Sequence, residues 1–123
     1  MAKIYEVDIT HRLSLDENKG FVYIKDQVLC ANIDAANIME ALDLIDTAEE
    51  AFKALDKNPN NPVFQQRATK ASLNVYKAVR LIYDDEEYAK IKKLNLKTKE
   101  MYVLVDSAIT LFNKRESASA EKN

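Results

Sequence analysis

The chain has 123 residues, 47% hydrophobic and 31% charged, which is enough for one folded domain with one core and excludes global disorder. Lys and Arg number 18 against 20 Asp and Glu, a net charge of −2, so no global field attracts nucleic acid. A single Gly and two Pro are too few for a small all-β fold and favour helices.

Residues 4–10 alternate, with Tyr5, Val7 and Ile9 on one side and Glu6, Asp8 and Thr10 on the other. Period two predicts a strand with one covered face. Residues 14–20 (SLDENKG) are polar, hold the only Gly and read as a turn or loop. Phe21 to Ala31 is rich in β-branched and aromatic residues and reads as the returning strand. A tight turn at Lys25-Asp26-Gln27 can divide it, which leaves two short strands as an alternative. So small a hairpin is marginal alone and must lie on helices.

A first helix is expected from a cap at Asn32 or Asp34. Ile38, Ala41, Leu42, Ile45, Ala48, Phe52 and Leu55 recur at steps of three and four and share one face. The segment KNPNNP (Lys57–Pro62) must break it. A second helix opens with Asn61 as cap and Pro62 at its first position, where a missing N–H costs nothing. Its buried stripe is Phe64, Ala68, Ala71, Val75, Ala78, Val79 and Ile82. Asp84-x-x-Glu87 resembles a capping box and starts a short third helix anchored by Tyr88 and Ile91. The last helix begins between Asn95 and Lys99. Met101, Leu104, Val105, Ala108, Leu111 and Phe112 form its main stripe, and Tyr102 and Ile109 widen the apolar arc beyond the ~100° of one covered face. The polar stretch 114–123 reads as a flexible tail.

The expected fold is therefore α+β, mainly α: a small N-terminal β-hairpin on three to four helices, in one domain over residues 1–113. No apolar run nears the ~18 residues of a membrane span, and MAKIYEVDIT carries acids where a signal peptide needs an apolar core, so the expected location is the cytoplasm.

Nothing in the sequence points strongly to catalysis. His11 is the sole histidine and reads as an exposed strand residue. Cys30 is the sole cysteine and reads as a small apolar strand residue. Asp84 to Glu87 are contiguous acids with no following Gly, which suits helix capping better than a calcium loop. No Gly-rich phosphate loop or nucleophile elbow is present, so no cofactor, metal or enzymatic activity is expected. The Lys90–Lys99 run could contact phosphate, which makes a small helical regulatory or nucleic-acid-binding protein the alternative. It lacks interleaved aromatics and reads better as a solvated face. The excess apolar arc of the last helix instead predicts a protein that holds another polypeptide. Tyr83, Tyr88, Ile91, Tyr102 and Ile109 are the candidate contacts.

The segment from Val79 to Phe112 resembles the C-terminal half of tail assembly chaperones from long-tailed bacteriophages of Gram-positive bacteria. The shared pattern is an apolar helix, a step at Tyr83-Asp84-Asp85, the aromatic pattern Tyr88-Ala89-Lys90-Ile91, a polar turn at Asn95-Leu96-Lys97-Thr98, and a final amphipathic helix. Where the family often has Gly at the step, this chain has Asp84-Asp85. The resemblance implies a protein of the host cytoplasm that self-associates and coats the tape measure protein before the tail tube polymerises. It also implies a longer, frameshifted form that recruits tail tube protein.

Overall fold

The computed structural model describes residues 11–16 and 19–122, with side chains over 13–16 and 19–117. Three antiparallel strands, β1 (His11–Asp16), β2 (Lys19–Ile24) and β3 (Gln27–Asn32), lie in the order β1-β2-β3. Leu13 stands opposite Val22, Val22 opposite Leu29, and Gly20 opposite Ala31. Gly20, Val22, Ile24, Leu29 and Ala31 are buried against the helices. Phe21, Tyr23 and Cys30 are half-buried on the other face, where Val28 is exposed. This is the pleat's period of two.

The sheet differs from the expected hairpin. The strand read at residues 4–10 lies outside the described residues. Ser14–Asp16 and Lys19–Gly20 are strand, not loop. The polar residues here alternate with Leu13 and Leu15, and that alternation outweighs their turn character. Phe21 to Ala31 divides at Lys25 and Asp26, with Lys25 at φ 51°, so two short strands form.

Five helices follow: α1 (Ala35–Ile45), α2 (Ala48–Lys57), α3 (Pro62–Ile82), α4 (Asp85–Leu94) and α5 (Thr98–Lys122). The expected first helix is two, because the chain breaks at Asp46 and Thr47. Both residues are weak helix formers whose side chains compete for the backbone. The three-and-four spacing runs on through Ile45, Ala48 and Phe52, so the apolar pattern gives no sign of the break. Asn61 caps α3 as expected, its Oδ1 accepting the Val63 N–H at 2.9 Å, with Pro62 at the first turn. α5 continues through residues 114–122, the stretch expected to be a flexible tail.

α5 packs on α3 and α1 and on the inner face of β1 and β2. Leu104, Val105, Ala108, Leu111 and Phe112 are all buried there. The close approach of helix and sheet depends on Gly20: a Cβ at that position would lie 2.7 Å from Leu111 Cδ1 and 3.3 Å from Ile33 Cγ2. A branched side chain there must displace the fully packed Leu111. Gly20→Val is expected to destabilise the protein by about 1–3 kcal/mol, the usual cost of overpacking, as read by urea denaturation.

Candidate partner-binding surface

The acidic step between α3 and α4 fixes the corner of the molecule. Asp84 is the N-cap of α4, and its Oδ1 accepts the Glu87 N–H at 3.0 Å. Only this half of the expected capping box forms. The buried Glu87 carboxylate turns away and accepts the Cys30 N–H of β3 at 2.7 Å. Lys90 Nζ lies 3.2 Å from Glu87 Oε2 and 3.3 Å from the Val28 carbonyl, to which it donates. One turn of α4 thus supplies an acceptor and a donor to the outer edge of β3. An exposed strand edge is a template for pairing, and here an ion pair occupies it.

Burial in the corner also sets the acidity of nearby groups. It raises the Cys30 thiol above its ordinary pKa, and the Glu87 carboxylate adds to the rise. Burial pushes the Tyr83 hydroxyl up much further, with Cys30 and Glu87 contributing.

The five residues expected to touch a partner fall in different places. Tyr83 is fully buried, and its hydroxyl donates to the Leu104 carbonyl of α5 at 2.8 Å. Ile91 is also in the core. Neither reaches the surface. A tyrosine beside the acidic step could either close the core or serve as an amphipathic interface anchor, and Tyr83 closes the core against α5. Tyr102 and Ile109 are half-buried and pack against the core. The sheet, α1 and α3 cover the main stripe of α5, while Tyr102 and Ile109 at its margin stay only partly covered. Tyr88 is half-buried as well. Its ring meets Tyr76 edge-on at 5.9 Å, and the Arg80 guanidinium lies over it at 4.3 Å. Such stacking contributes about 0.5–1 kcal/mol at an exposed site.

The exposed apolar groups are elsewhere. Met39 is 52% exposed on α1, where Leu42 is also exposed. On α3, Val63 is 53% and Leu73 51% exposed, and Tyr76 adds to the same helix. Between α2 and α3 runs a groove of ≈ 610 Å³ whose lining includes Ala51, Ala54, Phe64 and Ala71 with Glu50 and Arg67. Small residues let the helices approach, and the half-buried Phe64 offers an apolar contact. Sequence reading placed Leu42 and Phe64 in the core. The exposure of Val63, Leu73 and Met39 follows from their place off the buried stripes, a signal present in the helical spacing.

The lysine run is divided among separate tasks. Lys90 holds the β3 edge, Lys99 lies 3.8 Å from Asp56, and Lys92 lies 5.9 Å from the Tyr88 ring. Among the described residues no cluster of His, Cys, Asp or Glu is arranged to hold a metal ion, and no helix is long and apolar enough to cross a membrane. No protein family matches the chain, and no curated protein and no solved structure matches it.

Two outcomes follow from the corner. Glu87→Ala removes the acceptor of a β-edge N–H and is expected to cost about 1–3 kcal/mol of unfolding free energy, whereas Glu87→Gln keeps an acceptor and costs less. The raised thiol pKa means less thiolate at a given pH, so alkylation of Cys30 at pH 8 should run slower than that of a free cysteine peptide. Glu87→Gln removes a negative charge and should speed it.

Proposed function

We propose that this chain is a protein-binding module, and specifically a phage tail assembly chaperone that self-associates in the host cytoplasm and binds the tape measure protein. The binding reading rests on one observation: α1 and α3, which pack together, leave Met39, Leu42, Val63, Leu73 and Tyr76 open to solvent. Burying such a side chain is worth roughly 1.5–3 kcal/mol when complete, so an apolar or amphipathic partner gains by covering them. The phage reading rests on the resemblance of Val79 to Phe112. The succession of long helix α3, acidic step, short α4, turn at Asn95 and final α5 supports it. The contact surface assigned here is the outer side of α1 and α3, in place of the α5 residues.

Co-expression with the tape measure protein of the same genome tests this reading. The wild-type chain should keep that protein soluble and co-purify with it. Met39→Asp with Leu73→Asp should abolish capture while changing stability little, since exposed positions away from special features usually shift it by within about 0.5 kcal/mol. Failure of wild-type capture, or equal capture by the double variant, would overturn it.

A further inference from the structure

The groove between α2 and α3 carries opposite charge on its two sides. Ala51 and Ala54 of α2 and Phe64 and Ala71 of α3 give it an apolar lining, with Glu50 on the α2 side and Arg67 and Lys70 on the α3 side. All three charged residues are exposed, and among the described residues no ion pair joins them across the groove. The asymmetry extends along both walls. α3 has Arg67, Lys70, Lys77 and Arg80 and no acid, whereas the stretch from α1 through α2 has an excess of acids over Lys53 and Lys57.

α5 does not cover this groove. Its first turn meets the other side of α2, where Lys99 Nζ lies 3.8 Å from Asp56. Asp56 and Ala54 are two residues apart and point to different sides of the helix. Ala51, Ala54 and Phe64 are accordingly only half-buried, although they line the place where two helices meet. Two antiparallel helices with an apolar seam between them are half of a four-helix bundle.

We propose that the α2–α3 groove binds the same groove of a second copy, forming a four-helix bundle about a two-fold axis parallel to the helices. Charge selects this axis. It sets α2 of each copy against α3 of the other, so the acidic side meets the basic side. A two-fold axis perpendicular to the helices sets α3 against α3 and brings Arg67 and Lys70 onto their own copies, and like charges set face to face are unfavourable. Rotation about the parallel axis also leaves heights unchanged, so residues level within one hairpin are level across the interface. Counting outward from the connection between Lys57 and Pro62, Glu50 stands level with Thr69 and Lys70. Glu50 of each copy therefore meets Lys70 of the other, with Arg67 one turn away, and the pair forms twice. The apolar linings of the two grooves close on each other between these pairs. An isologous contact of this kind is the commonest way for a chain to pair with itself. The inference gives a geometry to the self-association included above, but it stands on the groove and its charges. A dimer that fails to bind tape measure protein would leave it intact.

Sedimentation of the full chain should show a dimer. Glu50→Lys or Lys70→Glu alone should weaken it at least about tenfold, since each sets like charges face to face at both pairs. Mixing the two single variants should restore the dimer, because opposite signs then meet at both pairs. Each variant should keep the helical circular dichroism of the wild type, as neither side chain has an ion-pair partner among the described residues of its own chain. A monomeric wild type, a dimer indifferent to either substitution, a mixture that stays monomeric, or a loss of helical signal in either variant would each overturn the proposal.

Discussion

The fold depends on covering one helix from several sides at once. α5 carries apolar side chains over more of its circumference than a single layer can hide. The sheet takes one side with Val22 and Ile24, and α3 and α1 take the others. Much else follows from this arrangement. The sheet needs a side-chain-free position where α5 comes closest, and Gly20 provides it. α3 needs a long unbroken stripe, from Ala68 to Ile82, and its small residues allow close packing. α5 thus packs on β1 and β2 as well as on α3 and α1, while α3 and α4 also reach β3.

The corner between α3 and α4 ties the layers to one another. Tyr83 ends α3 and bonds to the α5 backbone, while Glu87, one turn into α4, bonds to the β3 backbone. Both partners are main-chain groups of elements distant in sequence. A buried polar group is costly unless satisfied, so these two side chains fix α3, α4, α5 and β3 relative to each other more strictly than apolar contact alone could. The same geometry closes the β3 edge with an ion pair.

Local signals in the sequence located several boundaries. Pro62 and Asn61 marked the start of α3, and Asp84 the start of α4, because capping is a short-range matter of one side chain and the next few N–H groups. The apolar stripes of α3 and α5 were readable from spacing. Long-range effects were not readable. The hydroxyl of Tyr83 finds a carbonyl 21 residues away, and the Glu87 carboxylate an N–H 57 residues away. Periodicity cannot show how far neighbouring elements cover a wide apolar arc, and Tyr102 and Ile109 end half-buried at its margin. The break at Asp46 was silent because the buried face keeps its spacing across it. Of the candidate contacts, Tyr83 and Ile91 are in the core, and Tyr88, Tyr102 and Ile109 are half-buried.

That outcome bears on where a partner could bind. The segment that carries the family resemblance, Val79 to Phe112, is largely structural here: Tyr83, Ile91, Leu104 and Ala108 are in the core. A pattern of residues that builds the corner would be shared by proteins with a common fold whether or not they shared a ligand. Discrimination between partners then falls to surfaces the core does not constrain. In this chain those include the outer sides of α1 and α3, where Met39, Leu42, Val63, Leu73 and Tyr76 offer apolar side chains without directional demands.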